Sequence, residues 1–289
     1  MHYKEAKGIL SSSNGMNIYR GCQHGCVYCD SRSTCYHIEH EFEDIEVKSN
    51  AVELLETALS KKRNKCMIGT GSMTDPYIPL EKELRYTRQC LEAIERHGFG
   101  LAILTKSDLI LRDLDLLKKI NTKSKCIVQI TLTTADDDLC RKLEPGVCPT
   151  SRRVEVLDIL RREKIPTVVW LSPILPFIND TEENIRALMD SIVQVNVRGI
   201  VFFGIGMTLR EGSRDYFYTQ LDRLFPGMKE RYRNKYGNAY QIVSDHNREL
   251  SKIVFDACHE HEILCNPDQV FTWMRTFEDK DIEIQGELF

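Results

Sequence analysis

Residues 17–37 read NIYRGCQHGCVYCDSRSTCYH and hold four of the eleven cysteines of this 289-residue chain. Cys22, Cys26 and Cys29 have the spacing C-x3-C-x2-C, and Gly21 and Gly25 leave the backbone free to turn tightly around them. Soft thiolates converging from one short loop favour zinc or an iron–sulfur cluster. A structural zinc site takes four protein ligands, usually from two separated pairs. The triplet supplies three, which leaves one coordination position open, as at the iron of a [4Fe–4S] cluster that binds a small molecule. His24, His37 or Cys35 offers a fourth ligand in the zinc reading, so both metals stand at this point. No second cysteine group is as tight. Cys140 and Cys148, or Cys258 and Cys265, are too isolated to build another cluster and read as ordinary thiols.

Outward from this loop, short β-rich runs alternate with segments of helical period. The runs are Met16–Tyr19, Cys66–Gly69, Leu101–Thr105, Cys126–Leu132, Thr167–Leu171 and Gly199–Ile205. Between them, apolar residues recur at helical intervals: Val52, Leu55 and Leu59; Leu84, Leu91 and Ile94; Ile185, Leu188, Ile192 and Val195. Gly98 marks a helix end, and Asn179, Asp180 and Thr181 before EENI mark a helix start. Such alternation implies βαβ units and a parallel sheet, in a barrel or a doubly wound arrangement. After about residue 210 the pattern becomes helices and turns rich in tyrosine and arginine. We therefore expect a core over residues 1–210 and a helical C-terminal extension over 211–289 packed on it.

Apolar residues make up 42% and charged residues 28%, the balance of an ordinary globular chain. A formal charge of -4 gives no general basic field for nucleic acid. Residues 1–20 lack a long apolar run with a cleavage site, and no stretch approaches bilayer-spanning length, so a cytoplasmic protein is expected. The odd cysteine count speaks against a disulfide framework.

The triplet, with Tyr28 just before its last cysteine and a strand before the loop, resembles the radical S-adenosylmethionine (SAM) superfamily. More narrowly, NIYRGCQHGCVYC, TDPYIPLE (Thr74 to Glu81) and PILPFIND (Pro173 to Asp180) resemble its spore photoproduct lyase-like branch, related to DNA repair photolyases. The resemblance covers about residues 14–210. It implies a partial (β/α)6 TIM-type barrel in which Cys22, Cys26 and Cys29 bind three irons of a [4Fe–4S] cluster and SAM chelates the fourth. It also implies an external one-electron reductant of the flavodoxin or ferredoxin type, cleavage of SAM, and a 5′-deoxyadenosyl radical that takes a hydrogen atom from substrate.

Barrel active sites lie at the C-terminal ends of the strands. Polar residues fall there in this sequence: Ser72, Thr74 and Asp75, then Lys106, then Gln129, Thr131 and Thr133 on one face of a strand, then Ser172. A cationic Lys106 suits the SAM carboxylate, and the hydroxyls suit its amino and ribose groups. By the resemblance, Thr74, Lys106 and Ser172 match cofactor-contacting positions, with Gln129 or Thr131 a further match and Tyr28 beside the cluster. Thr74 or Asp75 also suits a capping role, and strand threonines suit β-propensity alone. One position departs from the branch. Where spore photoproduct lyase carries a cysteine that returns a hydrogen atom to the product radical, this chain carries Ser72. A serine O–H bond is too strong for that step, so Cys35 or Tyr28 donates instead, or the substrate differs.

The final residues, Gln285 to Phe289 (QGELF), resemble the peptide by which bacterial replication and repair proteins dock on the sliding clamp, although Gly286 replaces the usual leucine. Tyrosine and arginine in RDYFY (214–218) and RYRNKY (231–236) suit base stacking and phosphate contact, or a solvated helix surface. Two classes follow: a radical enzyme acting on nucleic acid or a related substrate, and a non-catalytic zinc or Fe–S protein that regulates a partner.

Overall fold

The computed structural model describes residues 1–280. The QGELF peptide lies outside the described residues. In chain order the strands are β1 (His2–Lys4), β2 (Gly15–Met16), β3 (Tyr19–Arg20), β4 (Glu46–Lys48), β5 (Met67–Thr70), β6 (Gly100–Thr105), β7 (Cys126–Thr131), β8 (Thr167–Trp170), β9 (Gly199–Val201), β10 (Gly206–Thr208) and β11 (Gln241–Val243). The helices are α1 (Ala51–Lys61), α2 (Glu81–Leu84), α3 (Tyr86–Arg96), α4 (Leu114–Lys123), α5 (Asp137–Leu143), α6 (Thr150–Arg162), α7 (Glu182–Gln194), α8 (Ser213–Leu224), α9 (Met228–Tyr236), α10 (Asn247–Glu260) and α11 (Pro267–Arg275).

Six parallel strands form one sheet in the order β2-β5-β6-β7-β8-β9, the arrangement of a partial barrel. Strand β7 shows why the sheet is a core and not a surface: all six of its residues are buried. Its outward side chains Cys126, Val128 and Ile130 pack with the helices, among them α4 with Leu117 and Ile120. Its inward Ile127 joins Met67, Ala102, Val168 and Val201 from the other strands, and α11 covers this concave side with Val270 and Met274. Both faces of a parallel sheet are then apolar, as its crossover helices require.

The helix signals act as read. Thr181 caps α7 by accepting from Asn184 N at 3.2 Å, and Gly98 N closes the end of α3 on Glu95 O at 3.1 Å. The run expected as strand to Ile205 is strand only over Gly199–Val201. Asn247 Oδ1 captures Ile205 N at 2.7 Å, and the chain then enters β10, which pairs antiparallel with β11.

Besides α11, the segment after residue 210 packs on the barrel at two further places. Helix α10 lies against α7. Helices α8 and α9 bury Phe217, Tyr218, Leu221 and Tyr232 against Val27, Tyr28, Leu143 and Leu175, and so cover the cysteine loop. Two of the tyrosines read as base-stacking in RDYFY and RYRNKY, Tyr218 and Tyr232, are therefore core side chains together with Phe217, because the loop beneath presents an apolar surface that needs cover. PILPFIND holds this contact in place. Tyr232 donates to Pro176 O at 2.6 Å, and the Phe177 and Tyr232 rings meet edge to face at 5.6 Å. The buried Asn179 accepts from Leu175 N and donates to Thr133 O at 2.7 Å. Among the described residues no helix is long and apolar enough to cross a membrane.

Replacing Asn179 by alanine leaves the buried Leu175 N–H without its acceptor, at a cost of about 1–3 kcal/mol. Chemical denaturation of Asn179→Ala is expected to show a lower midpoint with an unchanged slope.

Candidate functional site

At the C-terminal ends of the strands lies a cavity of about 260 Å3. Its wall includes Cys22, Cys26, Cys29, Tyr28, Ser72, Lys106, Thr131 and Ser172. Eight residues singled out in the sequence thus meet in one hollow, brought there from the loop after β3 and from the ends of β5 to β8. Trp170 and Met207 complete its apolar side.

The cysteine loop keeps its shape through close backbone contacts. Cys22 N bonds Phe42 O at 3.0 Å, Val27 N bonds Leu143 O at 2.9 Å, and Gly146 N bonds His24 O at 2.8 Å. Gly21 has a φ of +87°, and a Cβ there would stand 2.4 Å from Phe42 O. Opposite the loop, Gly71 at φ +100° crosses the β6 end so closely that a Cβ would reach 2.0 Å from Leu104 O. Only glycine fits either place.

Two carboxylates brace the cavity, Asp75 within its wall and the buried Glu144 behind it. Asp75 accepts from Thr105 Oγ1 at 2.7 Å, from Lys106 N at 2.8 Å and from Tyr77 N at 2.8 Å, and its Oδ2 lies 3.2 Å from His24 Nε2. Burial alone raises its pKa, but the His24 charge and these donors outweigh burial and hold it at about 2. The second carboxylate, Glu144, accepts from the Tyr28 hydroxyl and pairs with Arg153. Arg153, 1% exposed, also donates to Thr131 O at 2.9 Å and Cys148 O at 3.0 Å. The Tyr28 hydroxyl is therefore held on Glu144, while its ring faces Lys106, whose Nζ lies 5.9 Å from the ring centre.

The donor set suits a metal centre with three sulfurs and one open position. Burial, reinforced by Asp75 and Cys29, pushes the Cys22 thiol up to about 12, and burial pushes Cys26 well up. Thiols so placed ionise against a strong cationic partner, which a metal centre is. The fourth ligands weighed for zinc are engaged elsewhere. His24 Nδ1 lies 3.1 Å from Gly146 O and its Nε2 faces Asp75. His37 is exposed and does not line the cavity. Cys35 is exposed, and its Sγ lies 3.4 Å from Arg210 Nη1.

Against this geometry, residues 16–192 match the radical SAM superfamily. The chain belongs to that superfamily. A relative, an uncharacterized protein of Mycobacterium tuberculosis (strain ATCC 25618 / H37Rv), is 30% identical over 234 residues, which are 76% of this chain and 66% of that protein. The chain thus spans just under two thirds of that relative. It is also similar to the "Radical SAM Nalpha-GlyT isomerase" of Pseudomonas phage M6, at 28% identity over 62% of this chain and 36% of that one. Among solved structures, spore photoproduct lyase complexed with dinucleoside spore photoproduct has the same fold, with a TM-score of 0.60, 15% identity, and coverage of 88% of this chain and 76% of that chain.

Of the residues matched to cofactor-contacting or hydrogen-donating positions, three lie outside the cavity wall. Thr74 lines a neighbouring hollow with Tyr19, Arg20 and Lys48. Gln129 accepts from Trp170 Nε1 at 2.8 Å, and Cys35 sits at the surface. From the sequence, Asp75 suited a strand-end or capping place and His24 a zinc ligand, while Glu144 and Arg153 went unremarked. Arg153 carried a signal: with Val156, Leu157 and Leu160 it occupies the buried stripe of α6.

Because Asp75 ionises near 2 in the fold against an ordinary 3.8, its charge stabilises the folded chain above about pH 4, and this contribution fades as pH falls towards 2. Asp75→Asn is expected to flatten the acid limb of the stability–pH curve in that window, read by thermal unfolding at stepped pH.

Proposed function

We propose that this chain holds a [4Fe–4S] cluster on Cys22, Cys26 and Cys29, binds SAM beside it, and acts as a radical enzyme on a nucleobase-bearing substrate. The carrying observation is the meeting of the Cys22, Cys26 and Cys29 thiols, the first two buried, with the Lys106 ammonium and the Thr131 and Ser172 hydroxyls on one wall. When bound, the cluster and SAM supply reductive cleavage of the sulfonium and a carbon radical that removes a hydrogen atom from substrate, with the electron coming from a small reductant protein. Lys106 supplies the counter-charge for the carboxylate of SAM. Tyr28, Leu104, Trp170 and Met207 line the hollow with apolar surface that keeps water from the reacting atoms. Tyr28 orients Lys106 through its ring, and the Glu144–Arg153 pair fixes the ring in turn.

A nucleobase is favoured by a ladder of rings leading out from the wall. Trp170 meets Phe203 at 6.3 Å and Phe271 at 6.0 Å, and Phe203 stacks on Phe271 at 6.4 Å and 25°. Phe203 is 59% exposed and offers a ring face on which a base can stack. Spore photoproduct lyase, whose fold is shared, takes a dinucleoside photoproduct. Ser72 sets this chain apart from the thiol chemistry of that branch. Neither substitute donor is free in the cavity, since the Tyr28 hydroxyl is held by Glu144 and Cys35 lies at the surface. We therefore expect a substrate other than the thymine photoproduct.

Anaerobically purified protein is expected to be brown, to carry about four irons per chain, and to release 5′-deoxyadenosine from SAM under reduction. Cys29→Ala is expected to abolish all three, and colourless protein with one zinc overturns the reading. Lys106→Ala is expected to keep the iron and raise the KM for SAM about tenfold. Phe203→Ala is expected to weaken binding of a single-stranded oligonucleotide about tenfold, measured by anisotropy of a labelled strand.

A further inference from the structure

A second set of ligand-type side chains meets outside the cysteine cavity. The parallel pairing of β1 with β4 sets His2 opposite Glu46, and the chain between β3 and β4 brings His40 onto them. One ligand atom from each of His2, His40 and Glu46 lies within 4.8 Å of the other two. The two imidazoles meet edge to face with centres 4.9 Å apart, and His2 Nε2 lies 4.0 Å from Glu46 Oε2.

Each ring is held by its other nitrogen. His2 Nδ1 lies 2.9 Å from Asp44 Oδ2, and His40 Nδ1 lies 2.9 Å from Glu41 O. An Nδ1–H given to an oxygen fixes the tautomer whose Nε2 lone pair is available, which is how metal-binding histidines are oriented. His40 Nε2 is buried and has no hydrogen-bond partner, a state that asks for a ligand. Glu46 is buried, with its side chain only 7% exposed, whereas His2 is 41% exposed, so an ion enters from the solvent side. The competitor is Lys4, whose Nζ lies 3.3 Å from Glu46 Oε2 on a stem that is 62% exposed and can swing away.

We propose that His2, His40 and Glu46 form a binding site for a divalent first-row transition ion, best suited to zinc. Asp44 and the Glu41 carbonyl act as its outer partners. Two imidazoles and one carboxylate leave a fourth tetrahedral position for water. Such ligand atoms stand roughly 3.3 Å apart around zinc, so small side-chain movements close the observed spacing. The ion ties β1 to the segment before β4. This site shares no residue with the cysteine cavity and does not depend on the proposed radical chemistry.

The test uses the full chain, loaded with its cluster where one forms, treated with a chelator and titrated with zinc alone against a chromophoric competitor. One zinc per chain beyond any at the cysteines is expected, together with a higher melting temperature. His2→Gln and His40→Gln are each expected to weaken zinc binding at least about tenfold and to remove the melting shift, and Asp44→Asn about tenfold through His2. X-ray absorption at the zinc edge is expected to show nitrogen and oxygen neighbours. Equal zinc affinity in the His2→Gln/His40→Gln double variant overturns the site, as does a sulfur-ligated zinc alone. The absorption reading stands even if a variant folds poorly, because it is taken on the unaltered chain.

Discussion

The Asp75 carboxylate is the contact on which the candidate site turns. It binds the end of β6 twice, through Thr105 and the Lys106 N–H, and faces His24 of the cysteine loop. One buried charge therefore sets the position of three elements that are distant in sequence. A buried carboxylate persists only when its oxygens are satisfied, and the strand end and the loop both supply that satisfaction. Where Lys106 stands relative to Cys22 and Cys26 follows from that constraint, since the backbone that carries Lys106 is bonded to the group that meets the loop.

Glu144 plays the corresponding part on the other side. It holds Tyr28 and Arg153, and Arg153 reaches the β7 end through Thr131 O. Breaking a buried pair of this kind costs more than the pair itself contributes, because the remaining charge has no water to return to. The motifs that mark the resemblance are scaffolding in the same sense. TDPYIPLE begins beside Asp75 and ends at Glu81, which is fully buried and accepts from Thr87 N at 2.7 Å and from the hydroxyl of Tyr19. PILPFIND carries Asn179 and the surface on which Tyr232 docks. In the proposed function the cysteines bring the chemistry, and the motifs hold the strand ends around the cavity.

The strands were legible because their burial is two-sided. CIVQITL and TVVWL have few ways to be exposed, and both lie in the sheet as β7 and β8. The extension was legible as helix for α8 to α11, but β11 was not, since its Gln-Ile-Val pairs across a long loop with β10 and has no local period of its own. The burial of Phe217 and Tyr232 was equally invisible. Aromatic residues next to arginines look alike on a nucleic-acid surface and on an amphipathic helix, and only the partner face distinguishes them.

By itself the sequence determined the alternation of strand and helix, the parallel sheet, the cysteine triplet and the placing of polar residues at strand ends, because periodicity and spacing are local properties of the chain. Tertiary structure alone decided which of those residues share a cavity. Thr131 faces it and Gln129 is turned to Trp170; Ser72 lines it and Thr74 lines the next hollow; Cys35 stays at the surface beside Arg210. Only the fold joined His24 to Asp75 and His2 to His40, because such pairings depend on contacts across tens of residues that spacing along the chain does not encode.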